Sequence, residues 1–109
     1  MARMSGQVSV AANAVSANQL AGLLYEFLER PANVLLAAAA AAVGINTTFL
    51  IGGVAVVNDQ PISRANRYPI LPDDAVTEEQ GIGRMILTFR NTTGAPIVVD
   101  WTLDVDFLA

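Results

Sequence analysis

Val99-Asp100-Trp101-Thr102-Leu103-Asp104-Val105-Asp106-Phe107 alternates apolar and polar residues without a break. Successive side chains of a strand point to opposite faces, so Val99, Trp101, Leu103, Val105 and Phe107 share one face and Asp100, Thr102, Asp104 and Asp106 the other. The pattern predicts a half-buried antiparallel strand, with Trp101 in the core and a solvated acidic face. Upstream, Met85, Leu87 and Phe89 alternate with Ile86, Thr88 and Arg90. Between the two runs, Asn91-Thr92-Thr93-Gly94-Ala95-Pro96 offers Asn and Gly for left-handed turn conformations and Pro for a strand entry. Residues 84–107 are therefore predicted to be a hairpin.

The middle of the chain reads the same way. Thr47–Ile51 and Val54–Val57 are β-branched and aromatic, separated by Gly52-Gly53, which is either a two-residue turn or a bulge in one long strand. Asn58-Asp59-Gln60-Pro61 is expected to end that element. Residues 63–80 carry Pro69, Pro72, Asp73-Asp74 and Glu78-Glu79, and are expected to be a surface excursion suited to partner contacts. Residues 1–6 read as a flexible N-terminus of a single domain spanning 1–109.

Two readings compete before that. Leu20, Leu23, Leu24, Phe27 and Leu28 follow helical spacing, and Ser16 with Gln19 resembles a capping box. Local propensity thus predicts helices over 17–30 and 32–43, an α+β alternative. The same residues also alternate as strands, with Leu23, Tyr25 and Phe27 opposite Leu24, Glu26 and Leu28, and Pro31 in a turn over 29–32.

Composition narrows the function. The 109 residues include six Arg, no Lys, ten acidic residues, no His and no Cys, for a net charge of −4. Thiolate and imidazole chemistry, as nucleophile or as metal ligand, is thereby excluded, and no cofactor is expected. Six scattered Arg in an acidic chain disfavour nucleic-acid binding. Charged residues make up 15% against roughly 25% in an ordinary domain, beside 53% hydrophobic residues. A small domain has too much surface to carry that excess alone, so it belongs in subunit contacts or a membrane. Residues 31–58 contain no charge, but Asn46-Thr47-Thr48, Gly52-Gly53 and the Ala run 37–42 argue against a spanning helix. Residues 1–15 lack the apolar core of a signal peptide.

The succession Ala42-Val43-Gly44-Ile45-Asn46-Thr47-Thr48, Gly52-Gly53, Asn58-Asp59-Gln60-Pro61, Asn66-Arg67-Tyr68-Pro69, Pro72-Asp73-Asp74 and Phe89-Arg90-Asn91-Thr92-Thr93-Gly94 resembles small virion structural proteins of bacteriophages, of the capsid-associated, minor-capsid or cement class. The resemblance is one of texture over about residues 20–107 and transfers no functional residue. It implies an all-β antiparallel sandwich or jelly roll of about eight short strands, which favours strand over helix for 17–43. It also implies a non-enzymatic protein of the virion, made in the host cytoplasm, that assembles with itself or with a major capsid protein. A small membrane-associated subunit anchored through 33–57 and a soluble ligand-binding β-sandwich, reported by Trp101, are the alternatives.

Candidate site residues follow. Asp100, Asp104 and Asp106 project from one strand face, on which alternate positions lie about 6.8 Å apart, and could hold a hard cation if Asp73-Asp74 or Glu78-Glu79 came near. Arg64, Arg67 and Tyr68 could meet phosphate or a base. With Asp73 and Asp74 they are instead expected to make interface contacts. Asn46 and Asn91 match glycosylation sequons, and turn chemistry accounts for both.

Overall fold

A computed structural model describes residues 2–23, 25–62 and 75–107. They form β1 (Ala2–Val10), β2 (Phe27–Ala40), β3 (Ile45–Ile51), β4 (Val54–Pro61), β5 (Ala75–Asn91) and β6 (Ile97–Phe107). All neighbours pair antiparallel in one sheet of order β1-β6-β2-β5-β3-β4. The chain is all-β, with six strands among the described residues against about eight expected. No helix forms among the described residues, so the α+β alternative is overturned.

β5 is the hinge of the architecture. Its first part, to Arg84, pairs with β2, and its second part, from Met85, pairs with β3 along the opposite edge. The two halves of the sheet share one core. Val34, Leu36 and Ala38 of β2 and Trp101, Leu103 and Val105 of β6 join Phe49 of β3 and Met85, Leu87 and Phe89 of β5 in a single buried cluster. β2 explains the Ala run. Ala38 lies opposite Trp101 on one side and Gly6 of β1 lies opposite it on the other, so small residues flank the indole on both neighbouring strands. A Cβ built on Gly6 would come within 2.9 Å of the Trp101 ring. Tertiary packing overrides the helical propensity of Ala here.

The predicted 84–107 hairpin is not made. β6 pairs with β1 and β2, and β2 separates it from β5. A turn at 91–96 would set Leu87 near Trp101, where the sheet instead places Gly6 and Ala38. The connection is held by a side chain. Asn91, 1% exposed, donates Nδ2–H to the carbonyls of Val10 (3.0 Å) and Ala95 (2.7 Å). Its Oδ1 accepts from Thr93 N–H (2.8 Å) and Thr93 Oγ1 (2.7 Å). Neither Asn91 nor Gly94 takes the left-handed conformation anticipated for this linker.

Residues 17–43 divide. Phe27–Ala40 is strand, as the β reading expects, with Glu29-Arg30-Pro31 in a register shift between Leu28 and Ala32 rather than in a turn. Ahead of it, residues 16–19 stand in for a strand along the free edge of β5. Ser16 N–H donates to Phe89 O (2.8 Å) and Gln19 N–H to Leu87 O (2.9 Å). The Ser16 hydroxyl accepts from Phe89 N–H, and Asn18 Oδ1 accepts from both Leu20 and Leu87 N–H. The capping-box residues therefore cap a sheet edge, and fully buried Leu20 plugs the core beneath.

Gly52-Gly53 is a two-residue turn, since Ile51 pairs with Val54 and both glycines have positive φ (60° and 85°), as a type I′ hairpin requires. β4 then continues through Asn58–Pro61, which does not end it. A register shift accommodates Asp59 (φ 51°), and Pro61 is tolerated because β4 is an edge strand. Two further expectations change: residues 2–6 belong to β1, and 75–80 belong to β5 rather than to a surface loop.

Candidate functional site

Arg64, Arg67, Tyr68, Asp73 and Asp74, the expected interface residues, lie outside the described residues. The acidic face of β6 is described, and it is not uniformly solvated. Asp104 is only 6% exposed and takes both Arg3 nitrogens, Nε at 2.7 Å and Nη2 at 3.0 Å. The hydrogen bond and charge of Asp104 raise the pKa of Arg3 above its ordinary value. Asp100 accepts from Gln7 Nε2 (2.8 Å), and Asp106 is exposed. This corrects the picture of three equivalent solvated carboxylates.

Sheet register brings Glu78 into the neighbourhood, as the cation hypothesis requires. Glu78, Asp104 and Asp106 line a hollow of about 130 Å³ with Asn33, Val34 and Leu35. Leu35 of β2 pairs with Glu78 on one side and Asp104 on the other, which sets those two residues two strand spacings apart, about 9–10 Å. Arg3 already engages both oxygens of Asp104, which takes that carboxylate out of a cation site. Among the described residues, no group of three Asp or Glu has metal-binding geometry.

A second feature was not anticipated. Tyr25, Phe27, Glu29, Arg30 and Phe107 line an open cleft of about 660 Å³ at the start of β2 and the end of β6. Arg30 stacks on the Phe107 ring (4.6 Å to its centroid), and Tyr25 packs against the same ring at 5.5 Å, tilted by 57°. Arg84, the register partner of Phe27, covers the Phe27 ring at 5.9 Å and bonds Glu26 at 2.9 Å. The Gly22 N–H and then Arg84 hold the Glu26 carboxyl below the usual range. Such a mixture of ring faces, a guanidinium and a carboxylate can stack on an apolar face and bond polar groups at its rim. The rings are legible in the sequence, but Tyr25 lies ahead of β2 and meets Phe107, the register partner of Ala32, only in the folded chain.

On the opposite edge of the sheet, Arg90 of β5 grips Asp59 of β4 through Nε (2.9 Å) and Nη2 (2.7 Å). That hydrogen bonding lowers the Asp59 pKa. None of these groups forms a nucleophile–base pair. A scan against protein-family models finds no match, and a search of curated proteins finds none either.

Proposed function

We propose that the chain is a non-enzymatic structural protein of a bacteriophage virion, assembling with itself or with a major capsid protein in a minor-capsid, cement or decoration role. The bent sheet, whose two halves face one core, is taken as an antiparallel sandwich of jelly-roll character. One observation carries the reading: folding leaves several large apolar side chains in water. Phe27, Val54 and Ile82 are 59%, 64% and 51% exposed. Phe27 pairs with Arg84 and Ile82 lies two residues before Arg84 on β5, whereas Val54 pairs with Ile51, the partner of Met85, at the β3–β4 turn. Large apolar residues left in water are the material of interaction surfaces, and a chain with 15% charge has little else to offer a partner. Electron microscopy of the concentrated protein is the test. Rings, sheets or shells of uniform repeat support the proposal; a field without ordered assemblies, alone or with capsid shells, counts against it.

The cleft of Tyr25, Phe27 and Phe107 favours a second reading, a ligand-binding module. Trp101 is 2% exposed and outside the cleft, so indole emission is the wrong reporter. Ring signals of Phe27 and Phe107, followed by nuclear magnetic resonance against a panel of saccharides, would shift saturably on this reading and stay fixed otherwise. The stretch 33–57, the expected anchor of a membrane-associated subunit, falls in β2, β3, β4 and their connections, and no helix of the described residues is long and apolar enough to cross a membrane.

A further inference from the structure

We infer that β1 is the self-association edge, and that two copies of this chain pair through it antiparallel around a two-fold axis at Gly6; this rests on the reading of the chain as an assembling subunit. The two edges of the sheet differ. β4 is closed to strand addition by its register shifts, by Asp59 at positive φ and by terminal Pro61, devices that spoil a pairing template. β1 pairs with β6 over nine residues without a register shift and contains no proline. Among the described residues, no strand occupies its other side.

The backbone groups available there can be named. Ala41 N–H donates to Val98 O, so Val98 and every second residue after it direct their backbone groups towards β2. Val99, Trp101, Leu103 and Val105 therefore serve β1, where their partners are Val8, Gly6, Met4 and Ala2. Arg3, Ser5, Gln7 and Ser9 are left to present N–H and C=O to the open edge. Arg3 is the only charge on the strand, and charges commonly guard such edges. Here Asp104 of β6 draws it away from the edge.

Self-pairing suits this strand. Centring the axis on Gly6 uses all nine residues and sets Arg3 against Ser9 of the second copy and Ser5 against its Gln7, so no like charges meet. Both of these are pairs of edge-facing residues, as an antiparallel ladder requires. On the inner face Met4 meets Val8, and Gly6 meets Gly6 beside the Trp101 ring. The opposite arrangement, β1 against β4 in an open chain of subunits, meets the closed edge of β4.

Amide hydrogen exchange with sedimentation velocity on the same samples tests the inference. Gly6 and Val8 amides bond β6 and are slow in any folded species. The inference expects an oligomer in which Ser5 and Gln7 amides are also slowed, by about 100-fold or more relative to an open edge. Gln7→Pro removes one outward N–H but none used by β6, a position where edge strands accept proline. It should give a folded monomer with fast exchange at Ser5. An oligomer with fast Ser5 and Gln7 amides overturns the inference while leaving assembly intact. A monomer overturns both, and a monomer with those amides slow assigns the edge to another segment of the same chain.

Discussion

Asn91→Ala removes the side chain that connects three parts of the fold: the end of β1, the linker 92–96 and the end of β5. Its four hydrogen bonds reach Val10 O, Ala95 O and both donors of Thr93. In the linker, Thr93 and Ala95 can turn to water, so each of those bonds is worth about 0.5–1 kcal/mol net. The Val10 carbonyl keeps its ladder partner Ile97 when Nδ2 is removed, so that bond contributes a similar amount. The expected loss is therefore about 2–4 kcal/mol, a large share of a stability of about 5–15 kcal/mol. Urea unfolding with an unchanged m-value reads it directly. Asn91→Asp sharpens the test because it keeps the acceptor that Thr93 uses but points a carboxylate at two carbonyls. Burial there raises the folded-state pKa of the new carboxyl above its unfolded value. The variant should thus be worst at neutral pH and recover as pH falls through that raised pKa, where a protonated oxygen can donate. An Asn91→Ala protein within about 0.5 kcal/mol of the parent would refute the assignment of Asn91 as the connector, since that is the scatter of ordinary surface substitutions.

Gly6→Val should destabilise by about 1–3 kcal/mol, through overpacking against Trp101, and shift the indole emission in thermal melts. Asp104→Asn should lower the melting temperature, with a salt-dependent loss, whereas Asp106→Asn should stay within about 0.5 kcal/mol of the parent, because Arg3 engages only the former. Equal effects of the two would refute the asymmetry. The lowered pKa values of Glu26 and Asp59 mean that their contributions are fully present above the ordinary carboxylate range and lost as pH falls through the folded values. Melting temperature should therefore decline in acid, and Glu26→Gln with Asp59→Asn should flatten that decline.

The strand Val99–Phe107 with its apolar face and the core position of Trp101 are legible because period-two alternation is a local rule, whereas Gly52-Gly53 reads equally as a turn or a bulge until Ile51 pairs with Val54. The pairing of the strands is not legible. Asn91 to Pro96 looks like a hairpin turn, and only the fit of Trp101 between Gly6 and Ala38, remote in sequence, explains why β2 intervenes. Ser16 and Gln19 imitate a helix cap for a related reason. The hydrogen bonds that cap a helix end can equally satisfy a sheet edge, and the sequence does not say which backbone will be unpaired. The acidic run likewise gives no sign that Asp104 alone meets Arg3, which depends on β1 being ordered. The aromatic cleft needs the register of β2 with β6, which no local pattern encodes.

Sedimentation velocity of the purified chain over a range of concentrations tests the central claim most directly. Surface apolar residues such as Phe27, Val54 and Ile82, together with an open β1 edge, predict a discrete oligomer that persists on dilution to micromolar concentration. A well-behaved species of 11.5 kDa at every concentration would contradict it.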